Sequence, residues 1–170
     1  MNQWIPWIAG SFALMGVVVA CRSAQPEAPA TDYTPAPVPM AMRDLASGHL
    51  STMRTNECVV ARTETEWAAL WKRHGGMQLP APDLPTVNFE EDMVLAVFLG
   101  ERPTGGYSVA VRAVDLIESA EDGDQPATLA VYAREVRPLK NAIQPQVVIT
   151  PFHMVLVPAN EGQVELHMER

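Results

Sequence analysis

Side chains that carry out catalysis or bind metal ions are scattered along this chain, and the spacing of its histidines matches no common motif. The four histidines are His49, His74, His153 and His167. None of them stands two or four residues from another, a spacing common among metal ligands. We expect His153 and His167 to lie on strands, where they would meet only if those strands were neighbours. The sequence therefore predicts no metal site and no cofactor.

The carboxylates, hydroxyls and thiols form no catalytic set either. Glu90, Glu91 and Asp92 make an acidic cluster, which we interpret as a solvated turn at the entrance to a strand. No Gly-x-Ser-x-Gly sequence supplies the strained turn that exposes a nucleophilic serine. Cys58 stands in an apolar run, where a thiol is more often a small core residue than a low-pKa nucleophile. We therefore predict that the protein is not an enzyme.

The charge balance argues against nucleic acid as a partner. Acidic residues number 20 and basic residues 12, so the formal net charge is -8. A nucleic-acid-binding protein needs a concentrated basic face that replaces the counterions on phosphate. The local basic cluster is Arg134, Arg137 and Lys140, which suits lipid headgroups, the acidic edge of a partner protein, or solvent alone.

The N-terminal part of the chain has the pattern of an export signal followed by a tether. Residues 1–20 carry no charged side chain, and we interpret them as a signal peptide; a membrane-anchoring helix is the alternative. Pro6 interrupts the apolar run, which leaves it short of the roughly 20 residues that a spanning helix needs. Residues 21–42 are rich in proline and alanine, a composition that favours an extended tether.

The end of the signal peptide indicates where a lipid is attached. Val18-Val19-Ala20-Cys21 resembles the bacterial lipobox, in which small residues precede a lipidated cysteine that becomes the mature N-terminus. The resemblance implies that Cys21 carries palmitate and other acyl chains and binds the protein to a membrane. Arg22, where an Asp would favour inner-membrane retention, favours the outer membrane in a host with two membranes. We expect a lipoprotein of the cell envelope.

Residues 43–170 have the pattern of a single α+β domain. Thr63 to Glu66 form a capping box ahead of Trp67, Leu70 and Trp71, which predicts a helix near 64–74. Six or seven apolar or alternating segments predict a mostly antiparallel sheet on which this helix packs. Met93–Leu99 is a continuous apolar run, typical of a central strand buried on both faces. The other strands are expected near 58–62, 107–114, 128–134, 147–157 and 164–168.

The connection after the central strand is the most distinctive segment of the sequence. Residues 100–109 read GERPTGGYSV, in which Pro103 fixes one φ angle, while Gly105 and Gly106 permit angles that other residues avoid. We predict a hairpin turn here. No Gly-Lys-Ser/Thr follows the glycines, so the segment is not a phosphate-binding loop.

Together with residues 150–155, which read TPFHMV, this connection resembles the PrcB family of bacterial secreted proteins and lipoproteins. The resemblance extends from about Glu66 to Pro158. The family takes its name from a subunit that accompanies a surface protease without cleaving substrates. The resemblance therefore implies a non-catalytic accessory module that binds another extracytoplasmic protein, as a subunit or stabiliser of a protease complex. The candidate partner-binding residues are Arg102, Pro103, Thr104, Gly105, Gly106 and Tyr107.

Two other functions remain open from the sequence. The same six residues share a Pro-Thr-x-Gly-Tyr frame with the loop that chagasin-type inhibitors insert into cysteine proteases, which would make this chain a protease inhibitor. Alternatively, Trp67, Trp71 and Tyr107 would line an aromatic pocket for a small ligand or a peptide.

Overall fold

The computed structural model describes residues 36–76, 83–118 and 127–169. These ranges belong to one compact unit, Tyr33–Arg170. The predicted signal peptide, Cys21 and most of the predicted tether lie outside the described residues. Within the described ranges, no helix is long and apolar enough to cross a membrane.

One helix and eight strands make up the described part of the chain. The helix α1 spans Glu64–Gly75, and the strands are β1 (Val38–Pro39), β2 (Arg43–Gly48), β3 (Glu57–Ala61), β4 (Asp92–Phe98), β5 (Ser108–Ile117), β6 (Thr128–Val136), β7 (Phe152–Pro158) and β8 (Gln163–Glu169). Thr63 caps α1, since its side chain accepts a hydrogen bond from the Glu66 amide. The predicted helix and the predicted α+β class are confirmed.

The strands form two four-stranded sheets. The first sheet has the order β1-β5-β6-β8 and the second has the order β2-β7-β4-β3. Pairing is antiparallel throughout, except between β6 and β8. The alternation of apolar residues had suggested a single sheet, because it shows which face of a strand is buried but not which strands share a sheet.

The second sheet is buried on both faces, which explains the apolar run at β4. Met93, Leu95 and Val97 belong to a core between the two sheets, together with buried residues of β5, β6 and β7. Val94, Ala96 and Phe98 belong to a second core, which they share with Trp67 and Leu70 of α1. The prediction that β4 is a central strand covered on both sides is confirmed.

The connection from β4 to β5 is not a hairpin, so that prediction was wrong. β4 lies in the second sheet and β5 in the first, and the connection carries the chain from one sheet to the other. Turn-forming residues predict a change of direction, but they do not specify the strand with which the chain pairs next. The last part of the predicted 147–157 strand is β7, which begins at Phe152.

Strand pairing begins before Arg43, the residue at which we placed the start of the domain. Val38 lies opposite Leu116 and Pro39 opposite Asp115 in β5. Met40 and Met42 then pack against the core between the sheets. A short edge strand tolerates proline, so the proline-rich composition that predicts a tether does not exclude such pairing.

Candidate functional site

The six candidate partner-binding residues form a loop that is held against a second loop. We call residues 102–107 the RPTGGY loop and residues 137–151, which connect β6 to β7, the β6–β7 segment. The backbone amide of Arg102 donates to the Ile149 carbonyl over 2.8 Å, and the Ile149 amide donates back over 3.0 Å. The Gly105 amide donates to the Pro145 carbonyl over 2.9 Å. These hydrogen bonds join the two loops into one unit.

Gly105 and Gly106 allow the close approach of the two loops. A Cβ atom at Gly105 would lie 3.0 Å from Cδ of Pro145. Gly106 has a φ of 84°, in the left-handed region, and a Cβ atom there would lie 2.9 Å from Cβ of Pro138. The paired glycines thus serve both the turn geometry and the packing against the β6–β7 segment.

The Arg102 side chain points inward and anchors the RPTGGY loop. Its Nε donates to Oε1 of Glu135 over 2.9 Å, and one of its terminal nitrogens donates to the Leu99 carbonyl over 2.8 Å. Side-chain exposure is only 21% for Arg102 and 7% for Glu135. Arg137 makes a second, longer contact of 3.3 Å to the other Glu135 oxygen. Arg102 therefore contributes to the position of the loop more than to its outer surface.

The charge state of Glu135 is set by opposing effects. Burial raises the pKa of Glu135, whereas hydrogen bonds and positive charges from Arg102 and Arg137 lower it. The lowering effects win, so the pKa of Glu135 lies below its ordinary value. Glu135 is therefore a carboxylate at neutral pH, and it ties the RPTGGY loop to the end of β6.

Sequence analysis did not include Glu135 in the site, although a signal was present. Glu135 is two residues from Ala133 and four from Val131, so it shares their inward-facing phase in β6. An acidic residue in the buried phase of a strand needs a basic or hydrogen-bonding partner. This pattern predicts a buried carboxylate, but it does not identify Arg102 as its partner.

The six loop residues differ in how accessible they are. Pro103 and Gly106 are exposed, and Thr104 and Tyr107 are half-buried. Gly105 is buried and Arg102 is mostly covered. Four of the six candidates thus present atoms at the surface, and the other two hold the loop in place.

Next to this loop, the chain exposes several large apolar side chains that sequence analysis did not single out. Leu139 is 81% exposed and Ile143 fully exposed. We call the set the apolar surface; its members are Val136, Leu139, Ile143, Val147 and Val148. All five fall within residues 136–148: Val136 is the last residue of β6, and the other four lie in the β6–β7 segment. The predicted 147–157 strand included Val147 and Val148, which the structure leaves outside β7.

The basic cluster predicted from the sequence lies in the same stretch. Arg134, Arg137 and Lys140 are exposed, although Arg137 also contacts Glu135. A cavity of about 420 Å³ adjoins it and is lined by Arg102, Tyr107, Glu135, Arg137, Asn56 and Met168. A local positive charge therefore accompanies the apolar surface on a chain whose net charge is -8.

The aromatic pocket considered from the sequence is not formed, so that hypothesis was wrong. Trp67 is 1% exposed, and its indole nitrogen donates to the Pro85 carbonyl over 2.9 Å. Its ring lies 5.1 Å from that of Trp71, measured between centroids. Tyr107 lines the separate cavity beside Arg102. The tryptophans attach α1 to the second sheet, which leaves Trp67 no face for a ligand.

The histidines do not converge. His153 lies in β7 of the second sheet and His167 in β8 of the first, so they are not on neighbouring strands. His74 is buried against the rings of Phe98 and Phe152, and burial lowers the pKa of its imidazole. Across the described ranges, no group of three or more His, Cys, Asp or Glu side chains is placed to hold a metal ion.

Cys58 packs against the core between the sheets, in agreement with the prediction of a core thiol. Burial raises the pKa of Cys58 to about 11. At neutral pH the side chain is therefore a thiol and not the thiolate that a nucleophile requires.

Comparison with known families identifies the part of the chain that holds this site. Residues 93–158 match the family model described as PrcB C-terminal. This segment of the chain is similar to the PrcB family. The PrcB match runs from β4 to β7 and includes the RPTGGY loop, Glu135 and the β6–β7 segment. Searches of curated proteins and of solved structures found no match.

Proposed function

We propose that this chain is a non-catalytic accessory protein of the cell envelope that binds another extracytoplasmic protein. The binding surface comprises the accessible part of the RPTGGY loop and the apolar surface beside it. The partner is a protease, with this chain as a subunit or stabiliser of the complex. The observation that carries the proposal is the exposure of five large apolar side chains at the end of β6 and along the β6–β7 segment, which hydrogen bonds join to the RPTGGY loop.

Two contributions to the free energy of association favour binding at this surface. Covering apolar side chains releases roughly 25 cal/mol for each Å² removed from water, and clustered exposure of this kind often marks an interaction site. Loops that are already ordered also avoid much of the entropy cost of binding. Hydrogen bonds from Arg102 and Gly105 supply that order before any partner arrives.

The charges around the apolar surface indicate the character of the partner. Arg134, Arg137 and Lys140 form a basic margin. Basic margins attract acidic partners and raise the rate of association, and added salt weakens the effect. We therefore expect a partner surface with apolar side chains at its centre and acidic side chains at its edge.

The family resemblance supports a protease as the partner. The PrcB match includes both loops of the proposed binding surface.

The proposed location rests on the sequence of the N-terminal part. Cys21 follows a lipobox-like tripeptide, and the proline-rich composition of the residues after it favours an extended spacer of up to ~3.1 Å per residue. A lipid on Cys21 would hold the domain close to a membrane while leaving its binding surface accessible.

A matched pair of variants tests the binding surface. Leu139→Asp combined with Ile143→Asp places charge at its centre, whereas Leu84→Asp places charge on an exposed leucine elsewhere. Wild type and the Leu84→Asp variant should recover the same protein after crosslinking and purification from native envelopes. The double variant should recover it at least about ten-fold less, and its melting temperature should be unchanged because both side chains are exposed.

Two results would contradict the proposal. One is recovery of the same proteins by all three forms, which would place binding elsewhere. The other is recovery of nothing by wild type beyond the bare resin. If a protease is recovered, its activity should be unchanged or higher in the complex; a lower activity would instead identify the chain as an inhibitor.

The proposed lipid anchor has a separate test. Metabolic labelling with palmitate should mark wild type but not the Cys21→Ser variant, and globomycin should cause the unprocessed precursor to accumulate. Membrane association of an unlabelled protein of unchanged size would contradict lipidation at Cys21.

A further inference from the structure

The two described sheets end in four outer strands, and three of these carry features that discourage pairing with another chain. β1 is two residues long and contains Pro39. β2 has an irregular register between Asp44 and Ala46. β8 carries charged side chains at Glu165 and Glu169. Short length, proline, bulges and charge are the means by which natural edge strands avoid pairing with other molecules.

β3 is the fourth outer strand, and it lacks this protection. Glu57–Ala61 reads ECVVA and pairs with β4 in an unbroken register. Among the described strands β4 is its single neighbour, and no loop or side chain of the described ranges hydrogen-bonds to its backbone. The first such bond lies beyond the strand, where the Arg62 amide donates to Oε2 of Glu66 over 2.8 Å. The outer edge of β3 is therefore open along its length.

The helix α1 lies beside this edge and forms a groove with it. The groove is a cavity of about 310 Å³ lined by Val59 and Val60 of β3 and by Glu66, Ala69, Leu70 and Arg73 of α1. Successive side chains of a strand point to opposite faces, so two consecutive lining residues indicate that the cavity reaches the edge of β3. The lining residues of α1 recur at intervals of three and four, which places them on one side of the helix.

α1 and β3 run in opposite directions along the groove. Near the start of α1, Glu66 accepts from the residue that follows β3. Near the end of α1, Arg73 lies 3.8 Å from Glu57, the first residue of β3. This contact is long, and the Arg73 side chain is 55% exposed, so its charge is accessible from outside. The groove thus has an acidic group at one end and a basic group at the other, with exposed Ala69 between them.

A two-fold axis through the middle of the groove makes it complementary to itself. Val59 is the middle residue of β3, and the midpoint between Glu66 and Arg73 also lies at the middle of the groove. A half-turn about this axis places Glu66 of each chain beside Arg73 of the other. The same half-turn sets the two β3 strands antiparallel, so one arrangement matches both the backbone edges and the charges.

We propose that this groove binds a second copy of the chain, with the two β3 strands paired antiparallel and the two Val59 residues opposite each other. The second sheets of the two copies then form one eight-stranded sheet. The small side chain of Ala69 lets the two α1 helices approach. Pairing over five residues makes a small interface, so we expect a weak and reversible dimer. The groove is separate from the surface proposed above, and either can fail without the other.

Sedimentation equilibrium of the full chain carrying Cys21→Ser measures the association, over about 1–500 µM. Arg73→Glu and Glu66→Lys should each raise the dissociation constant of the dimer about five-fold or more, because two attractive pairs become repulsive. Lys72→Glu is the matched control, since it makes the same charge change on α1 outside the groove. It should alter the dissociation constant by less than about two-fold.

Mixing the two weakened variants distinguishes a lost contact from a lost fold. In a dimer of one Arg73→Glu chain and one Glu66→Lys chain, the remaining native pair attracts and the two introduced charges also attract. The mixture should therefore associate to within about two-fold of wild type. Circular dichroism spectra equal to that of wild type would show that each variant is folded.

Cysteine crosslinking tests the register of the two strands independently of charge. In a chain carrying Cys21→Ser and Cys58→Ala, Val59→Cys should form a disulfide between copies under mild oxidation. Directly opposed residues of antiparallel strands have Cα atoms about 4.5–5.5 Å apart, which suits a disulfide. Val60→Cys should crosslink at least about ten-fold more slowly, since residue 58 of the second copy lies opposite it.

Several outcomes would overturn the proposal. A chain that stays monomeric up to the highest concentration would do so. If the outward-facing β3 amides of that monomer exchange rapidly with solvent, the edge is left for a different protein; if they exchange slowly, another segment of this chain covers it. A dimer that neither charge variant weakens, a mixture that stays as weak as its components, or equal crosslinking at both cysteine positions would place the interface elsewhere.

Discussion

Replacing Glu135 by glutamine should destabilise the fold at neutral pH and have little effect in acid. Gln retains the size of the side chain and an oxygen that can accept from Arg102, but it loses the charge. Hydrogen bonds to charged groups contribute about 1.5–3 kcal/mol. The contact from Arg137 adds little, because that guanidinium is 55% exposed and screened by water. Since Gln keeps part of the Arg102 contact, we expect a loss of about 1–2 kcal/mol in the free energy of unfolding.

The direction of the pH dependence follows from the pKa of Glu135. The pKa in the folded state is below the ordinary value of 4.5, so the carboxylate form is favoured by folding. Its contribution is therefore complete above the unfolded-state pKa and is lost as the pH falls through the folded-state pKa. The difference between wild type and Glu135→Gln should shrink over that acidic range.

Urea unfolding at several pH values between 7 and 3, followed by tryptophan fluorescence, measures this difference. Glu165→Gln is the matched control, since Glu165 is 65% exposed on β8 and should change stability by less than about 0.5 kcal/mol. Equal losses in the two variants would refute the role of Glu135. So would a loss that stays constant from pH 7 to pH 3, because that would indicate altered packing and not a lost charge.

Three further predictions concern other parts of the fold. Gly106→Ala should cost about 1–2 kcal/mol because of its left-handed φ. Gly100→Ala should cost more, since its new Cβ would lie 2.5 Å from the Arg54 carbonyl oxygen, a backbone atom, whereas the Cβ at Gly106 would meet side-chain atoms of Gln144 and Pro138; thermal unfolding of both variants gives the order. Burial lowers the pKa of His74, so the free energy of unfolding should fall as the pH drops below 6.5 toward the folded-state pKa. His74→Leu should remove this pH dependence of stability, and an unchanged dependence would assign it to another group. In a Cys21→Ser chain at pH 8, Cys58 should react with a disulfide reagent about a hundred-fold more slowly in the folded protein than in the protein unfolded by urea, because its pKa is about 11 instead of 9.0. Comparable rates would contradict burial of the thiol.

Much of the fold was predictable because it depends on local patterns. The capping box and the spacing of Trp67, Leu70 and Trp71 predicted α1 to within a residue of its end. The continuous apolar run predicted that β4 is covered on both faces, which the two cores explain. The division of strands between two sheets was not predictable in this way, because alternation records burial and not the identity of a neighbour.

The candidate site was only partly predictable for the same reason. Pro103, Gly105 and Gly106 indicated a tight loop, and that loop does form. However, nothing local to it shows that Pro145 and Ile149 lie against it, about forty residues further along the chain. The phase of Glu135 in β6 was a usable signal of a buried carboxylate. Its pairing with Arg102 required the structure.

The sequence by itself determined the helix, the strand segments, the turn chemistry of the RPTGGY loop and the resemblance to the PrcB family. Each of these depends on backbone preferences or on neighbours within a few residues. Only the tertiary structure decided that Arg102 points inward to Glu135, and that Leu139 and Ile143 face solvent. Those features arise when distant segments pack together, and packing determines which side chains are accessible to a partner.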